Sequence, residues 1–352
     1  MATMKAVVFK GLCEVSYEDV ERPCNAQAGE AIVRVMACGL SGWDLNQYRG
    51  YEDGPVVGTV CGHDFAGVVE EAGAGVELAV GARVAGCFTT SCGECWFCTR
   101  SLSSRCERGQ LFGWRAADGS GLHGAQAQFV RVPLANGTLV PLANSMSYED
   151  GVLLGNALTT GYFCAKGAIA LLAEADADKS QLSVAVLGCG PVGLCAVASA
   201  KALGVGTVYA VDSVTARVAA AVRLGARDLP PAAANGGRGV DAVLEAAGTS
   251  HSLDLAFKMV RIGGVVSAVG VHARAGGFPV TAADCYDKNV TFRSGRCPAR
   301  SLVPEVVALL KPADITRHVV SHRVPLSAAP DIYEQLVAHA NGMLKAIFNP
   351  WA

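Results

Sequence analysis

The sequence predicts an α/β protein in two domains, one a doubly wound parallel sheet and the other β-rich. Three observations carry this. With 352 residues the chain is long for a single core. From Ser183 onward, short apolar runs alternate with helical stretches at the spacing of a parallel sheet with crossover helices. Before about residue 155 the runs are short and β-like, and Gly, Pro and Asp punctuate them as turns require.

In chain order, strands are expected over Lys5–Phe9, Glu30–Met36, Gly67–Glu71, Arg83–Ala85 and Gln128–Val132. The middle of the chain supplies apolar strands at Val184–Leu187, Val208–Val211, Ala242–Glu245 and Val265–Val269. Helices Val192–Leu203, Thr215–Leu224 and Leu253–Val260 lie between them. From Asn289 the pattern is mixed again and ends on Lys345–Phe348. The expected division is therefore residues 1–157 with 294–352 as one domain, and 158–293 inserted as the other.

Bulk properties exclude several classes. Charged residues are 17% and the net charge is −2, so neither nucleic acid nor an anionic membrane surface is an expected partner. Ser183–Ala200, within the longest uncharged stretch, is marginally long enough to span a bilayer. Gly188, Gly190, Pro191 and Gly193 break it early, which fits a buried strand, a turn and a helix instead. The N-terminal residues read as a first strand and not as a secretory leader. Ten of the fourteen cysteines are scattered, as small apolar residues in a reducing compartment, so the cytoplasm is expected.

Two motifs carry chemistry. Gly188-x-Gly190-x-x-Gly193 follows an apolar strand and opens a helix. Such glycines serve a tight turn, close approach of backbone to a pyrophosphate, and tight helix–strand packing. The helix N-terminus then offers unpaired N–H groups to phosphate. Asp212 stands nineteen residues beyond Gly193, at the end of the next strand, where an acid accepts from an adenosine ribose. The second motif is Cys92-x-x-Cys95-x-x-Cys98 followed by Cys106. Four thiolates close a tetrahedral zinc site and leave no open position, so this zinc is structural. The surrounding lobe 92–106 has little apolar content, and a metal can order what a core cannot.

In this order the two motifs resemble the zinc-containing medium-chain dehydrogenase/reductase superfamily, whose members include the alcohol dehydrogenases. The likeness runs over essentially the whole chain. Gly62-His63-Asp64-Phe65 is similar to the family's Gly-His-Glu segment, Gly81-Ala-Arg-Val84 to its Gly-Asp-Arg-Val turn, and Thr159-Thr160-Gly161-Tyr162 to the entry of its nucleotide domain. The resemblance implies a GroES-like β-rich catalytic domain joined to a Rossmann doubly wound sheet, with the active site in the cleft between. It implies NAD as coenzyme, with Val192 and Thr160 against the nicotinamide, Arg217 beside the adenosine ribose and Lys345 at the pyrophosphate. Asp212 favours NAD(H) over NADP(H), because a carboxylate repels a 2′-phosphate and Ser213 offers no countercharge. The family's last nucleotide-domain strand pairs with its copy, and Gly264–Val269 is read as that strand, so a homodimer or homotetramer is expected.

The likeness fails at the catalytic metal. The family holds a catalytic zinc with a Cys, a His and a third Cys or Asp. Here the first ligand position is Ser41, the histidine is retained as His63, and the third position is Asn156. A hydroxyl and an amide are poor replacements for thiolate or carboxylate. Asp64 next to His63 is the only evident substitute, which makes a weak second site of His63 and Asp64. Asp44 matches the acid that orients the ligand histidine. The family's hydroxyl proton relay falls on Trp43 and Asn46, and an indole only donates. Trp43 is left to fill space or to stack on a flat substrate. His63 is the leading candidate proton donor, with Tyr48 and Tyr51 behind it. Three readings stay open: a reductase of a carbonyl or activated alkene without catalytic zinc, a zinc-dependent alcohol or polyol dehydrogenase with atypical ligands, and a non-catalytic nucleotide-binding relative.

Overall fold

A computed structural model of the chain describes residues 2–51, 54–172, 178–228, 234–272, 277–338 and 342–352. The chain divides into two compact units. One comprises Met1–Asn156, Pro298–Glu305 and Val320–Ala352, and the other Ala157–Cys297 and Val306–Val319. The stretch Val306–Val319, expected with the β-rich domain, belongs instead to the second unit. Helix Pro312–Val319 buries Ile315, Thr316 and Val319 and packs there against helix Pro191–Ala202.

The first unit is built on a sheet of seven strands. In spatial order Val320–Pro325, Lys345–Asn349, Ala31–Gly39, Asp64–Ala72, Arg83–Gly86 and Leu139–Pro141 follow one another, and Phe129–Val132 also pairs with Ala31–Arg34. A hairpin of Thr3–Gly11 and Glu14–Glu21 stands beside it. Val33, Val35, Phe65, Val69, Val84 and Phe348 fill the core between. The register matters for the site. Gly39 faces Asp64 on one side and Ile347 on the other, so the end of one strand meets the start of a second and the middle of a third there.

The second unit carries five parallel strands in the order Thr207–Val211, Ser183–Leu187, Val240–Glu245, Val260–Ala268, Thr291–Ser294. Ser183–Leu187 and Val240–Glu245 are buried at every residue, as central strands covered on both faces must be. Helix Ala157–Leu172 packs on helix Pro191–Ala202. Gly161 permits the approach, since a Cβ there would lie 2.5 Å from the Ala196 nitrogen. The expected edge strand is not at the edge. Val265–Ala268 pairs with Ala242–Glu245 on one side and with Thr291–Ser294 on the other, so Thr291–Ser294 is the outer strand. That strand is short, partly exposed and polar at three of its four residues, and it lacks the apolar run by which its neighbours are recognised. Among the described residues no helix is long and apolar enough to cross a membrane.

Candidate active site and metal centre

The four-cysteine lobe gathers as its spacing implies. The ligand atoms of Cys92, Cys95, Cys98 and Cys106 all lie within 4.8 Å of one another. Cys92–Cys98 and Cys95–Cys106 are each 3.9 Å apart at sulfur. A tetrahedral zinc with bonds near 2.3 Å requires roughly 3.8 Å between sulfurs, so the donor set fits this ion. Two short 3-10 turns, Cys98–Arg100 and Ser103–Arg105, present the last two cysteines, and Gly93 adopts a positive φ of 81° that turns the loop after Cys92. Burial opposes charge on Cys92. Arg108 and the N–H groups of Glu94 and Cys95 outweigh it, so this thiol falls to about 6 and is ready to bind metal as thiolate.

A second cluster surrounds His63. Strand Ala31–Gly39 runs into Leu40 and Ser41, and Ser41 caps helix Gly42–Tyr48. The Ser41 N–H donates to Asp44 Oδ2 at 2.8 Å and the Asp44 N–H donates to Ser41 Oγ at 3.4 Å, a reciprocal cap. This cap aims the other Asp44 oxygen, Oδ1, at His63 Nδ1, 3.2 Å away. The pair is close but out of line, and neither atom completes a hydrogen bond in this arrangement. His63 itself precedes strand Asp64–Ala72. On its far side, Nε2 lies 3.2 Å from Ser41 Oγ, 3.1 Å from Asn156 Nδ2 and 3.4 Å from Asp64 Oδ1. Asn156 arrives from helix Tyr148–Leu154 through Gly155. A Cβ on Gly155 would lie 2.1 Å from the Gly86 oxygen, so only glycine permits this approach.

Charge in this cluster is balanced internally. Asp64 and Lys345 are both 1% exposed and form an ion pair between Oδ2 and Nζ. Gly39 makes room for it, since a Cβ there would lie 2.9 Å from Lys345 Nζ. Burial pushes Asp64 up, but Lys345 and His63 outweigh it and hold its carboxyl below the usual range. Burial pushes His63 down, but Asp44 and Asp64 outweigh it and the imidazole is raised. Trp43 and Phe88 flank that ring edge-on, with centroids 5.1 and 6.4 Å away.

The sequence-derived candidates Ser41, Trp43, Asp44, His63, Asp64 and Asn156 thus share one cluster. Three others take different places. Lys345, expected at the pyrophosphate, is spent on Asp64, because a buried ammonium requires a counter-ion. Tyr48 is buried against Tyr333, and Tyr51 is exposed beside Arg49. Gln126 escaped sequence reading. It is fully buried, donates from Nε2 to the Gly39 carbonyl at 3.1 Å and accepts at Oε1 from the Tyr333 hydroxyl at 3.0 Å. Its partners are distant in the chain, and no local pattern announces it.

The cluster does not fit a catalytic zinc. Nε2 of His63, the atom a metal would take, faces a hydroxyl and an amide nitrogen. Asn156 Nδ2 also donates to Asp64 Oδ1 at 2.8 Å, and Lys345 occupies Oδ2. Both oxygens of Asp64, the carboxylate on this side of the ring, are engaged, and the free oxygen of Asp44 faces Nδ1 on the other side. Among the described residues the four cysteines are the one group of three or more suitable ligands.

In the second unit the glycine loop has the shape a dinucleotide needs. Gly188 has a φ of 85°, and a Cβ on Gly193 would lie 1.8 Å from the Gly188 oxygen. Gly190 caps helix Pro191–Ala202 without a side chain and faces open space, which leaves the first helical N–H groups accessible. Asp212 is held by N–H groups of Cys189 (2.7 Å, to Oδ2) and Val214 (2.8 Å, to Oδ1), and Arg217 Nη1 stands 3.8 Å from Oδ2. Val192 is half-buried at the second helical position, and Thr160 is buried in helix Ala157–Leu172.

Comparison with known proteins agrees with these features. Residues 27–144 match the alcohol dehydrogenase GroES-like domain and residues 191–312 match the zinc-binding dehydrogenase domain. The chain is 37% identical to zinc-type alcohol dehydrogenase B of Aspergillus flavus, over 98% of this chain and 81% of that one. It is 39% identical to the medium chain reductase/dehydrogenase ucsI of Acremonium sp., over 81% of this chain and 98% of that one. Among solved structures, alcohol dehydrogenase TADH from Thermus sp. ATN1 superposes with a TM-score of 0.89 at 36% identity, covering 98% and 99% of the two chains. A glycine loop with a ribose acid, a four-cysteine lobe and a GroES-like sheet therefore have one common source: the chain belongs to the zinc-type alcohol dehydrogenases of the medium-chain dehydrogenase/reductase superfamily and is an oxidoreductase of that type.

Proposed function

We propose that this protein is an NAD(H)-dependent reductase of a small carbonyl compound or activated alkene, working without a metal at His63. One observation carries the reading: the ring of polar atoms around His63 Nε2, where Ser41 and Asn156 replace thiolate or carboxylate ligands. Without a Lewis acid nothing lowers the pKa of an alcohol, so oxidation of simple alcohols at neutral pH is handicapped. Reduction is less so, because a side chain can supply the proton that follows hydride.

When bound, NADH supplies the hydride. Gly188, Gly190 and Gly193 with the following helix N-terminus hold its pyrophosphate, and Asp212 with Arg217 beside it holds the adenosine ribose. Val192 and Thr160 pack on the nicotinamide. Cys92, Cys95, Cys98 and Cys106 hold one structural zinc. The protein works as a cytoplasmic homodimer or homotetramer. A second reading, oxidation of an alcohol or polyol with zinc on His63 and Asp64, is favoured by the similarity over 98% of the chain to a zinc-type alcohol dehydrogenase.

Metal content and hydride transfer decide between them. Purified protein is expected to hold about one zinc per chain. It should also oxidise NADH with aldehydes, ketones or enals faster than it reduces NAD with ethanol. Combining Ser41→Cys with Asn156→Cys should raise zinc toward about two per chain. Two tightly held zincs in the unaltered protein, with ready turnover of simple alcohols, would overturn the reading.

A further inference from the structure

We propose that Ser41, His63 and Asp44 form a proton relay, in which the Ser41 hydroxyl hands the proton to the substrate oxygen. The inference rests on the carbonyl-reductase reading above. Ser41 Oγ, His63 Nε2, His63 Nδ1 and Asp44 Oδ1 follow one another in a chain with gaps of 3.2 and 3.2 Å. That order of hydroxyl, imidazole and carboxylate is the one by which catalytic triads move protons, because the acid fixes the ring and steadies its charge. The slack alignment of the Asp44 contact is usual for a catalytic hydrogen bond before substrate tightens it.

Burial decides which member meets substrate. His63 and Asp44 are each 3% exposed, whereas Ser41 is only half-buried. Trp43 and Phe88 stand edge-on to the imidazole. The ring therefore reaches outward through the serine. Ser41 is also held in place, since its N–H and Oγ are both engaged in the helix cap with Asp44. Asp44 has two tasks, one oxygen fixing the serine backbone and the other facing the ring. Asn156 Nδ2 donates to Asp64 Oδ1, and Lys345 balances Asp64.

The step balances as follows. The carbonyl carbon gains the hydride pair from the reduced coenzyme, and the π pair of the C=O bond moves to oxygen. An O–H bond forms there as the Ser41 Oγ–H bond breaks. Ser41 Oγ then takes the proton on His63 Nε2, leaving a neutral imidazole that keeps its Nδ1 proton toward Asp44. A solvent proton restores the ring. The carbonyl is reduced by two electrons and the coenzyme oxidised by two.

The test compares Ser41→Ala, Ser41→Thr and Ser41→Asn with the unaltered protein, using NADH and an aldehyde that the latter reduces. Ser41→Ala should lower kcat on the order of 100-fold, with KM and the NADH dissociation constant changed less than about threefold. Ser41→Thr keeps the hydroxyl and should recover kcat to within about tenfold. Ser41→Asn keeps a helix-capping acceptor without a hydroxyl and should be as slow as Ser41→Ala, which separates proton transfer from a lost cap. In coenzyme-free protein carrying 15N-histidine, Ser41→Ala should shift the His63 Nε2 resonance. An unmoved resonance, or a kcat for Ser41→Ala within about twofold of the unaltered protein, overturns the relay and leaves the reductase reading standing. If the unaltered protein passes no hydride from NADH to any carbonyl, the reductase reading falls first and the relay with it.

Discussion

Asp212 and Asp64 show how a carboxylate's role depends on what already holds it. Asp212 spends one lone pair of each oxygen on the N–H groups of Cys189 and Val214, so its second lone pairs remain for ribose hydroxyls. A 2′-phosphate there would meet a fixed negative charge. Arg217, 3.8 Å away, offsets only part of it. At about 4 Å such repulsion costs roughly 1 kcal/mol in water and about 4 kcal/mol near a protein surface. NADH is therefore expected to bind at least about tenfold more tightly than NADPH, and Asp212→Ser to narrow the gap. Fluorescence titration of both coenzymes checks this, and equal affinities for the unaltered protein would reject it. Asp64 is the opposite case. Lys345 pairs with one of its oxygens and Asn156 with the other, so a metal would have to displace a buried ion pair or a hydrogen bond to bind it.

At the scale of elements, the cysteine lobe and the helix starts are held by different means. The lobe contains two 3-10 turns of three residues each and exposes Trp96 at 55%, so apolar burial does little to order it. A zinc held by the four cysteines would supply the missing free energy, which for structural zinc in small domains reaches about 10–16 kcal/mol. Cys95→Ser should therefore remove most of the bound zinc and lower the melting temperature and solubility. It should alter the hydride-transfer step less, because no residue of the His63 cluster belongs to the lobe. Metal analysis beside differential scanning fluorimetry checks it. Normal folding with full zinc content would show that the lobe holds no such site. The helices beginning after Ser41 and Ser147 rely instead on reciprocal caps with Asp44 and Asp150, each worth about 1 kcal/mol.

At the scale of the whole molecule, the outer strand of the parallel sheet raises the question of assembly. Thr291–Ser294 has a partner on one side only. An open strand edge is a template for pairing, and native proteins cover it, blunt it or use it. The edge strand open to a copy on this side of the sheet is therefore Thr291–Ser294 and not Gly264–Val269. Exposed Phe278 and Tyr286 lie in the segment leading to it. Sedimentation at micromolar concentration should give a dimer or tetramer, and a monomer there would count against it.

The sequence by itself determined the elements whose pattern is local. Apolar runs marked Val184–Leu187 and Ala242–Glu245, the central parts of strands Ser183–Leu187 and Val240–Glu245, because strands covered on both faces are rich in apolar residues. Glycine spacing marked the loop at Gly188, because Gly193 must clear the Gly188 carbonyl. Cysteine spacing marked the lobe, because a tetrahedral site draws its ligands from close along the chain. Within the His63 cluster the resemblance pointed to residues that lie together, but not to their connections. Only the tertiary structure decided that Lys345 neutralises Asp64, that Ser41 and Asn156 meet at one imidazole nitrogen, and that Gln126 braces Gly39. It also decided which strand is outermost and that Val306–Val319 leaves the β-rich unit. The physical reason is common to all of these. Each contact joins residues far apart in the chain, and its partner is chosen by sheet register, by backbone approach at a glycine and by the need of a buried charge for its opposite, none of which a local window of sequence contains.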